Sequence, residues 1–416
     1  MATDEASGCD WLAWSQVLAA FLIQCCTLGL CNSFGVFQSY FEHNIIDSFS
    51  PSNIAWIGTT QGFLLSIIGI VSGPLYDKGY IRSLMYLGGT LNVAGLLCTS
   101  FAGQYPWIIL SYGIAIGLGS GALFVPSQAA IQNYFSSEKA ALPTGISMTG
   151  SSVGGIMYPI IFRQLENRFG FPWTCRAFAL INGVLLLTSC LLIKPRQSQQ
   201  LERNISSRSA NWDVFYDWKL IILGVCALIL NIGVDVPFYF VPTFVQMKLG
   251  LSAEVGDSLL AGINASSLLG RIFFTWISGY STAFITWQFL IFGACMLLFC
   301  WWIVGTLAGI VVFVILYGFF VGGLISLIPS TVRELNPHSE IIGARIGLVE
   351  GFQGVGFLIG PPIAGAIMMT PAGYFGVSMF CGALYFLLFT LVGILTYWRS
   401  KSSKQHDNEN LELSNI

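Results

Sequence analysis

Long apolar runs separated by short polar segments dominate the hydrophobic pattern of this chain. A membrane-spanning helix needs about 20 consecutive apolar residues. Ser83–Ser137 carries no charged residue but is too long for one span, and the turn at Gly103–Pro106 divides it into two. The other predicted spans are Ser15–Phe41, Ile54–Tyr76, Ala140–Phe162, Arg176–Ile193, Trp218–Phe244, Ser258–Ile277, Phe284–Val304, Ile310–Val332, Ile342–Met368 and Tyr374–Trp398. The pattern therefore predicts an all-α membrane protein with twelve transmembrane helices.

The polar segment Lys194–Asp213 separates these spans into two sets of six. We expect an N-terminal tail over residues 1–14, a six-helix bundle over residues 15–194 and a cytoplasmic linker over residues 195–216. A second six-helix bundle follows over residues 217–398, and residues 399–416 form a C-terminal tail. A linker between two apolar halves suggests a molecule in which one half rocks against the other.

Basic residues in the short loops indicate the orientation in the membrane. Lys78, Arg82 and Lys139 fall on the same side as the linker if both termini are cytoplasmic. Arg163 and Arg168 fall on the other side and weaken the pattern. The first ten residues are acidic and lack a basic n-region, so we expect no cleaved signal peptide. We predict a multi-pass protein of the plasma membrane with cytoplasmic termini.

The composition excludes several classes of function. Apolar residues make up 55% and charged residues 9% of the chain, whereas soluble domains carry about 25% charged residues. A net charge of −2 argues against nucleic acid as a partner. The eleven cysteines mostly lie in apolar runs and indicate packing rather than disulfides. No nucleotide-binding loop or metal-ligand spacing occurs, so we expect no enzyme activity, no metal and no cofactor.

Four stretches of the sequence are typical of one transporter family: Gly73–Gly79 with Arg82, the block Gly117–Arg176, Gly343–Gly347, and Gly360–Ile367. These stretches resemble the monocarboxylate porter family of the major facilitator superfamily, in particular its fungal branch, and the resemblance covers the whole chain. It implies two six-helix bundles and alternating access to a central site. It also implies that Gly73, Asp77, Lys78 and Arg82 form a conformational latch, in which Asp77 caps a helix N-terminus or pairs with a basic group.

Two departures from the family pattern bear on the substrate. Asn32 stands where animal monocarboxylate carriers have a lysine, and Ser267 stands where they have an aspartate. We therefore predict a substrate larger or less acidic than lactate, a small organic acid or related metabolite, with efflux of a secondary metabolite preferred. The alternatives are a proton-coupled carrier that takes up a monocarboxylate or vitamin, a metabolite sensor that does not transport, and a passive channel.

Ionisable side chains inside a bilayer are costly unless they are paired or hydrated, so each is a functional candidate. Arg271 and Glu350 both fall in the cytoplasmic half of their spans, where they can meet. We predict that Arg271 binds an anionic or carbonyl group of the substrate, because a guanidinium can form two parallel hydrogen bonds with a carboxylate. We also predict that Glu350 holds Arg271 when substrate is absent. The alternative is a permanent Arg271–Glu350 brace that never touches substrate.

Carboxyl groups and amides supply the remaining candidates. Asp235 or Glu350 could couple transport to protons, because a carboxyl in a low-dielectric cavity retains its proton more readily; alternatively Asp235 meets water in an outer vestibule. Asn32, Tyr158, Asn264 and Tyr239 are polar at a depth suited to substrate binding, but each could equally bond a neighbouring helix. We expect a monomer whose partners are the bilayer, a small-molecule substrate and protons.

Overall fold

The computed structural model describes residues 11–46, 51–194, 211–337 and 339–414. Within these ranges the regular secondary structure is entirely helical. The first ten residues of the predicted N-terminal tail and residues 195–210 of the predicted linker lie outside the described residues.

Each half of the chain forms six long helices joined mainly by short loops. The N-terminal half contains α1 (Trp11–Phe41), α2 (Asn53–Asp77), α3 (Ile81–Thr99), α4 (Tyr105–Tyr134), α5 (Ala141–Phe169) and α6 (Phe171–Leu192). The C-terminal half contains α7 (Trp218–Leu249), α8 (Ala253–Ile277), α9 (Ala283–Ile303), α10 (Leu307–Leu335), α11 (Ile342–Met368) and α12 (Gly373–Tyr397). The helical backbone of α12 continues to Ser414.

Eleven of the described helices are long and apolar enough to cross a membrane. The exception is α5, which has 29 residues but contains many glycines, serines and threonines and ends in a polar turn. We predicted that it ends at Phe162, before the first charged residue, whereas the helix continues to Phe169. The reason is length: 29 residues span about 43 Å, so the polar turn extends past a hydrocarbon layer of about 30 Å. With α5, the described residues contain the twelve predicted helices.

Local signals in the sequence set several helix ends. The Asp217 carboxylate accepts hydrogen bonds from the backbone N–H groups of Lys219 and Leu220, and so caps α7. Thr282 and Thr306 cap α9 and α10 in the same way. These caps satisfy N–H groups that have no acceptor within the first helical turn.

The helix α7 is interrupted near its middle. It breaks at Asp235, and a second segment starts at Val236 with Pro237 in its first turn. Proline has no N–H group and leaves a carbonyl of the preceding turn without its usual donor. The Tyr317 hydroxyl of α10 donates to the Val234 carbonyl at 2.9 Å, which satisfies the backbone beside the break. A π-helical turn at Cys25–Gly29 likewise interrupts α1.

Hydrogen bonds between helix ends show which ends share a side of the molecule. Gln16, near the start of α1, donates to the Leu192 carbonyl at the end of α6 at 3.2 Å. Asp77, at the end of α2, accepts from the Gly343 N–H at the start of α11 at 2.9 Å. We call the side of the molecule where these helix ends lie the terminal side. The helix α1 begins there, and α12 leaves the bundle there because successive helices alternate in direction.

Candidate functional site

A cavity of about 1070 Å³ lies between the two halves. Its wall combines side chains of α1, α2, α4 and α5 with side chains of α7, α8, α10 and α11. It extends from Arg271 and Glu350 to Asn44 and Asn167, which lie at the ends of α1 and α5 away from the terminal side. The cavity therefore opens on the side opposite the terminal side.

Close backbone contacts between α2 and α11 close the terminal side. A Cβ placed on Gly73 would lie 2.1 Å from the Gly343 carbonyl oxygen, and a Cβ on Gly347 would lie 2.1 Å from the Gly69 carbonyl oxygen. Neither position can hold a larger residue without separating the helices. At a second contact between the two halves, α5 approaches α8 equally closely, since a Cβ on Gly145 would lie 2.7 Å from the Arg271 carbonyl oxygen.

Asp77 joins the two halves at the same place. Its carboxylate oxygens accept hydrogen bonds from the N–H groups of Gly343 and Ala344, at 2.9 and 2.7 Å. A carboxylate at a helix N-terminus satisfies orphan N–H groups and interacts favourably with the helix dipole. The Lys78 and Arg82 side chains are exposed, and within the predicted latch set Gly73 and Asp77 lie against α11.

An ion pair supports the first turn of α11. Arg345 donates through Nη1 to Asp217 at 2.7 Å and through Nε to the Ser339 hydroxyl at 2.9 Å. Burial raises the pKa of the Asp217 carboxyl, but the Arg345 guanidinium and the capped N–H groups outweigh it, so its pKa lies below the usual value. The N-terminus that Asp77 caps is thus fixed to the start of α7.

Arg271 and Glu350 line the same cavity and are 4% and 5% exposed. The prediction that they pair is wrong for this conformation, because the described residues contain no ion pair between them. The physical reason is that the two residues lie at different helix–helix contacts between the halves. Arg271 lies on α8 against α5, whereas the Cβ of Glu350 lies 3.4 Å from the position of a Cβ on Gly69 of α2. Within the described part of the chain, the Nε and Nη1 atoms of Arg271 have no hydrogen-bond partner.

Asp235 and Tyr239 lie on one face of α7 and also line the cavity. Asp235 occupies the break in the helix, and Tyr239, four residues later, is 40% exposed. No ion pair joins Asp235 to Arg271 among the described residues, as expected from their difference in depth.

Asn32 and Asn264 line the cavity on either side of Gly155. A Cβ placed on Gly155 would lie 3.3 Å from the Asn32 Cβ and 3.5 Å from the Asn264 Oδ1. The small residue on α5 therefore lets two amides from α1 and α8 approach each other. Asn264 also donates to the Leu260 carbonyl of its own helix at 3.1 Å.

Tyr158 does not line this cavity, and we withdraw it as a substrate ligand. Its hydroxyl donates to the Asn182 carbonyl oxygen, and its ring packs against Phe178 with centroids 5.1 Å apart. Asn182 donates in turn to Asn92 at 3.0 Å. The tyrosine belongs to a buried polar chain within the N-terminal half, where it bonds a neighbouring helix.

An amide pair in the cavity was missed from the sequence. Asn231 of α7 and Gln353 of α11 both line the cavity, and the Asn231 Nδ2 donates to the Gln353 Oε1 at 2.9 Å. A signal was available, because Gln353 follows Glu350 by three residues and Asn231 precedes Asp235 by four, which places each pair on one helix face.

A family model described as Major Facilitator Superfamily matches residues 20–341. The chain is 35% identical over 378 residues to "MFS-type transporter pynF" of Aspergillus niger, covering 89% of this chain and 85% of that protein. It is 31% identical over 373 residues to "Aspyridones efflux protein apdF" of Emericella nidulans, covering 89% of this chain and 75% of that protein.

A solved structure has the same fold. It is a crystal structure of a Major Facilitator Superfamily transporter, FucP, in the outward conformation. The TM-score is 0.68 at 14% sequence identity, and the match covers 92% of this chain and 99% of that chain.

Proposed function

This chain belongs to the major facilitator superfamily and is a multi-pass membrane transporter rather than an enzyme, and on that premise we propose that it exports a small organic acid or related secondary metabolite by alternating access. The proposal places it with carriers of the monocarboxylate-porter type. Support comes from apdF, a relative named as an efflux protein, and from the chemistry of the cavity.

The observation that carries this proposal is the state of Arg271. A buried donor without an acceptor costs about 1–3 kcal/mol, and more when it is charged. Arg271 is 4% exposed, lines the cavity and has two donor atoms without partners among the described residues. A substrate with a carboxylate or enolate would supply acceptors that match the guanidinium fork.

The size and walls of the cavity favour a substrate larger than lactate. The volume of about 1070 Å³ reaches the upper end of the range of roughly 300–1,000 Å³ that holds drug-sized ligands. Aromatic rings of Phe34, Phe124, Phe238 and Phe357 contribute to its lining. Such walls favour an apolar body that carries one acidic group.

We assign the terminal side to the cytoplasm and the protein, as a monomer, to the plasma membrane. In that orientation the cavity opens outward, and the Gly73 and Asp77 contacts with α11 form the closed cytoplasmic latch. The exposed Lys78 and Arg82 would hold this loop at the cytoplasmic face through anionic lipid headgroups.

Export against a gradient needs a driving ion, and we assign that role to protons. Asp235 and Glu350 are the carboxyl groups that line the cavity from α7 and α11. Either could release a proton inward and accept one outward as the two halves rock. Proteoliposomes with an imposed pH gradient test this assignment, because transport that ignores the gradient contradicts it.

Transport by purified protein in proteoliposomes tests the proposal with a panel of aromatic carboxylic and enolic acids. Arg271→Lys keeps the charge but loses the fork, so we expect a loss of apparent affinity of about tenfold or more. Arg176→Lys is the matched control, because Arg176 lies over the rings of Phe101 and Trp173, away from the cavity. Wild-type transport by Arg271→Lys would contradict the proposal.

A further inference from the structure

Two amide side chains form a bridge across the C-terminal wall of the cavity. Asn231 on α7 and Gln353 on α11 both line it, and they are 9% and 6% exposed. The Asn231 Nδ2 lies 2.9 Å from the Gln353 Oε1. The bridge lies between the two carboxyl groups of this wall, since Glu350 precedes Gln353 by one turn and Asp235 follows Asn231 by one turn.

A backbone carbonyl fixes the orientation of both amides. The Asn231 Nδ2 also donates to the Ala227 carbonyl at 3.1 Å. A carbonyl oxygen only accepts, so the nitrogen of Asn231 must face Ala227. The same nitrogen meets Gln353, which must therefore present its oxygen to Asn231. The Nε2 group of Gln353 is left to donate elsewhere.

The Gln353 Nε2 is buried and has no hydrogen-bond partner among the described residues. The side chains of Glu350 and Gln353 interact electrostatically, but Nε2 has no acceptor at full hydrogen-bond geometry. A buried amide donor without an acceptor is costly. It resembles Arg271 in this respect, and both residues line one cavity.

We propose that Gln353 determines substrate specificity by donating through Nε2 to a carbonyl oxygen of the substrate, while Arg271 binds the acidic group. This inference rests on the function proposed above and narrows its substrate class. The substrate is an organic acid that carries a second, uncharged acceptor such as a ketone. Asn231 is a positioning residue, because it acts only by fixing the orientation of Gln353.

The selectivity follows from the asymmetry of buried hydrogen bonds. A site with a buried donor rejects an analogue that lacks the acceptor, because the donor then stays unpaired. A neutral hydrogen bond is worth about 0.5–1.5 kcal/mol net. We therefore expect a preference of about two- to tenfold for the ketone over a methylene analogue.

Binding of two matched acids to the full-length purified protein tests the proposal. 4-Benzoylbenzoic acid and 4-benzylbenzoic acid have similar size and differ in the ketone, and tryptophan fluorescence gives Kd for each. The wild type should favour the ketone, and Gln353→Leu should bind both acids equally. Gln61→Leu is the matched control, because Gln61 is a fully buried amide of α2 outside the cavity lining and its loss should leave the preference unchanged. A ketone preference that persists in Gln353→Leu overturns the proposal.

A second variant reverses the bridge without removing Gln353. Asn231→Asp replaces the donor with a carboxylate oxygen, which attracts the Nε2 of Gln353 and turns its Oε1 outward. The added negative charge weakens the binding of both acids, so the readout is the ratio of their two Kd values, and we expect this variant to lose the ketone preference in that ratio. An unchanged preference in this variant also counts against the proposal.

The methyl ester of 4-benzoylbenzoic acid separates the two levels of the argument. If the ester binds as tightly as the acid, or if the wild type binds neither acid, the acidic-substrate function proposed above fails, and the role of Gln353 fails with it. If the acids bind through Arg271 but without distinction between ketone and methylene, only the role of Gln353 fails.

Discussion

Replacement of Gly73 by alanine should open the terminal side of the transporter. Gly73 of α2 crosses Gly343 of α11, and an added Cβ would lie 2.1 Å from the Gly343 carbonyl oxygen and 2.7 Å from its carbonyl carbon. Both are backbone atoms of a helix, so no side-chain rotation relieves the clash. Since ordinary Cβ contacts begin near 3.4 Å, the helices must separate by about 1.3 Å (3.4 − 2.1).

The energetic cost sets the size of the effect. Overpacking a tight contact costs about 1–3 kcal/mol, and each 1.4 kcal/mol changes a ratio of populations tenfold. Only the conformation closed on the terminal side contains this contact. Gly73→Ala should therefore shift the equilibrium toward the terminal-side-open state by roughly 5- to 150-fold.

Spin labels on the terminal side measure this shift directly. Ser83 at the start of α3 and Tyr280 after α8 are exposed and belong to different halves. Pulsed electron spin resonance should show a longer distance between labels at these positions in Gly73→Ala than in the wild type.

Gly89→Ala provides the control for an added methyl group. The nearest atom to a Cβ on Gly89 lies 3.8 Å away, which is ordinary contact, so the distance distribution should match the wild type. An unchanged distribution in Gly73→Ala would show that the α2–α11 crossing does not close the terminal side, and the reasoning would be refuted.

Two further variants test the same region. Asp77→Ala removes the acceptors for the Gly343 and Ala344 N–H groups, and losing such a helix cap costs about 0.5–2 kcal/mol. The variant should therefore also lengthen the distance between the labels. A wild-type distance distribution would show that the cap is not part of the closure. The pKa of Asp217 is lower in the folded protein than in the unfolded chain, where it is about 3.9. The ion pair with Arg345 therefore stabilises the fold above about pH 3.9, and this stabilisation is lost as the pH falls through the folded-state pKa. Thermal melts should therefore show a smaller drop in Tm between pH 6 and pH 3 for Asp217→Asn than for the wild type, and identical drops would contradict this.

The spans were predictable because the bilayer imposes a length and a composition on every helix that crosses it. The bounds of α11 match the predicted Ile342–Met368, and the turn at Gly103–Pro106 does separate α3 from α4. The end of α5 was missed, because a charged residue marks the edge of the membrane and not the end of a helix.

The site was less predictable, because position along a helix gives depth but not rotation around the axis. Arg271 and Glu350 have similar depth in the membrane, yet they lie at different helix–helix contacts and do not pair. Tyr158 has suitable depth but faces Asn182 inside its own half. In helices that are apolar on most faces, the sequence carries little periodicity that would distinguish the cavity face from the packed face. The Asn231–Gln353 bridge joins residues 122 positions apart and needed the structure.

Accessibility of Cys31 tests the central claim most directly, namely that substrate binds to Arg271 in a cavity open on one side. Cys31 lines the cavity, and a variant that retains it as the sole cysteine can be treated with a membrane-impermeant thiol reagent from either side. A variant that retains only Cys175, which is fully buried in the N-terminal half, is the unreactive control.

We predict that Cys31 reacts from the side opposite the termini and that 4-benzoylbenzoic acid slows the reaction, but not once Arg271→Ala is added. Equal labelling of Cys31 from both sides, or protection by the acid that survives the loss of Arg271, would contradict the account.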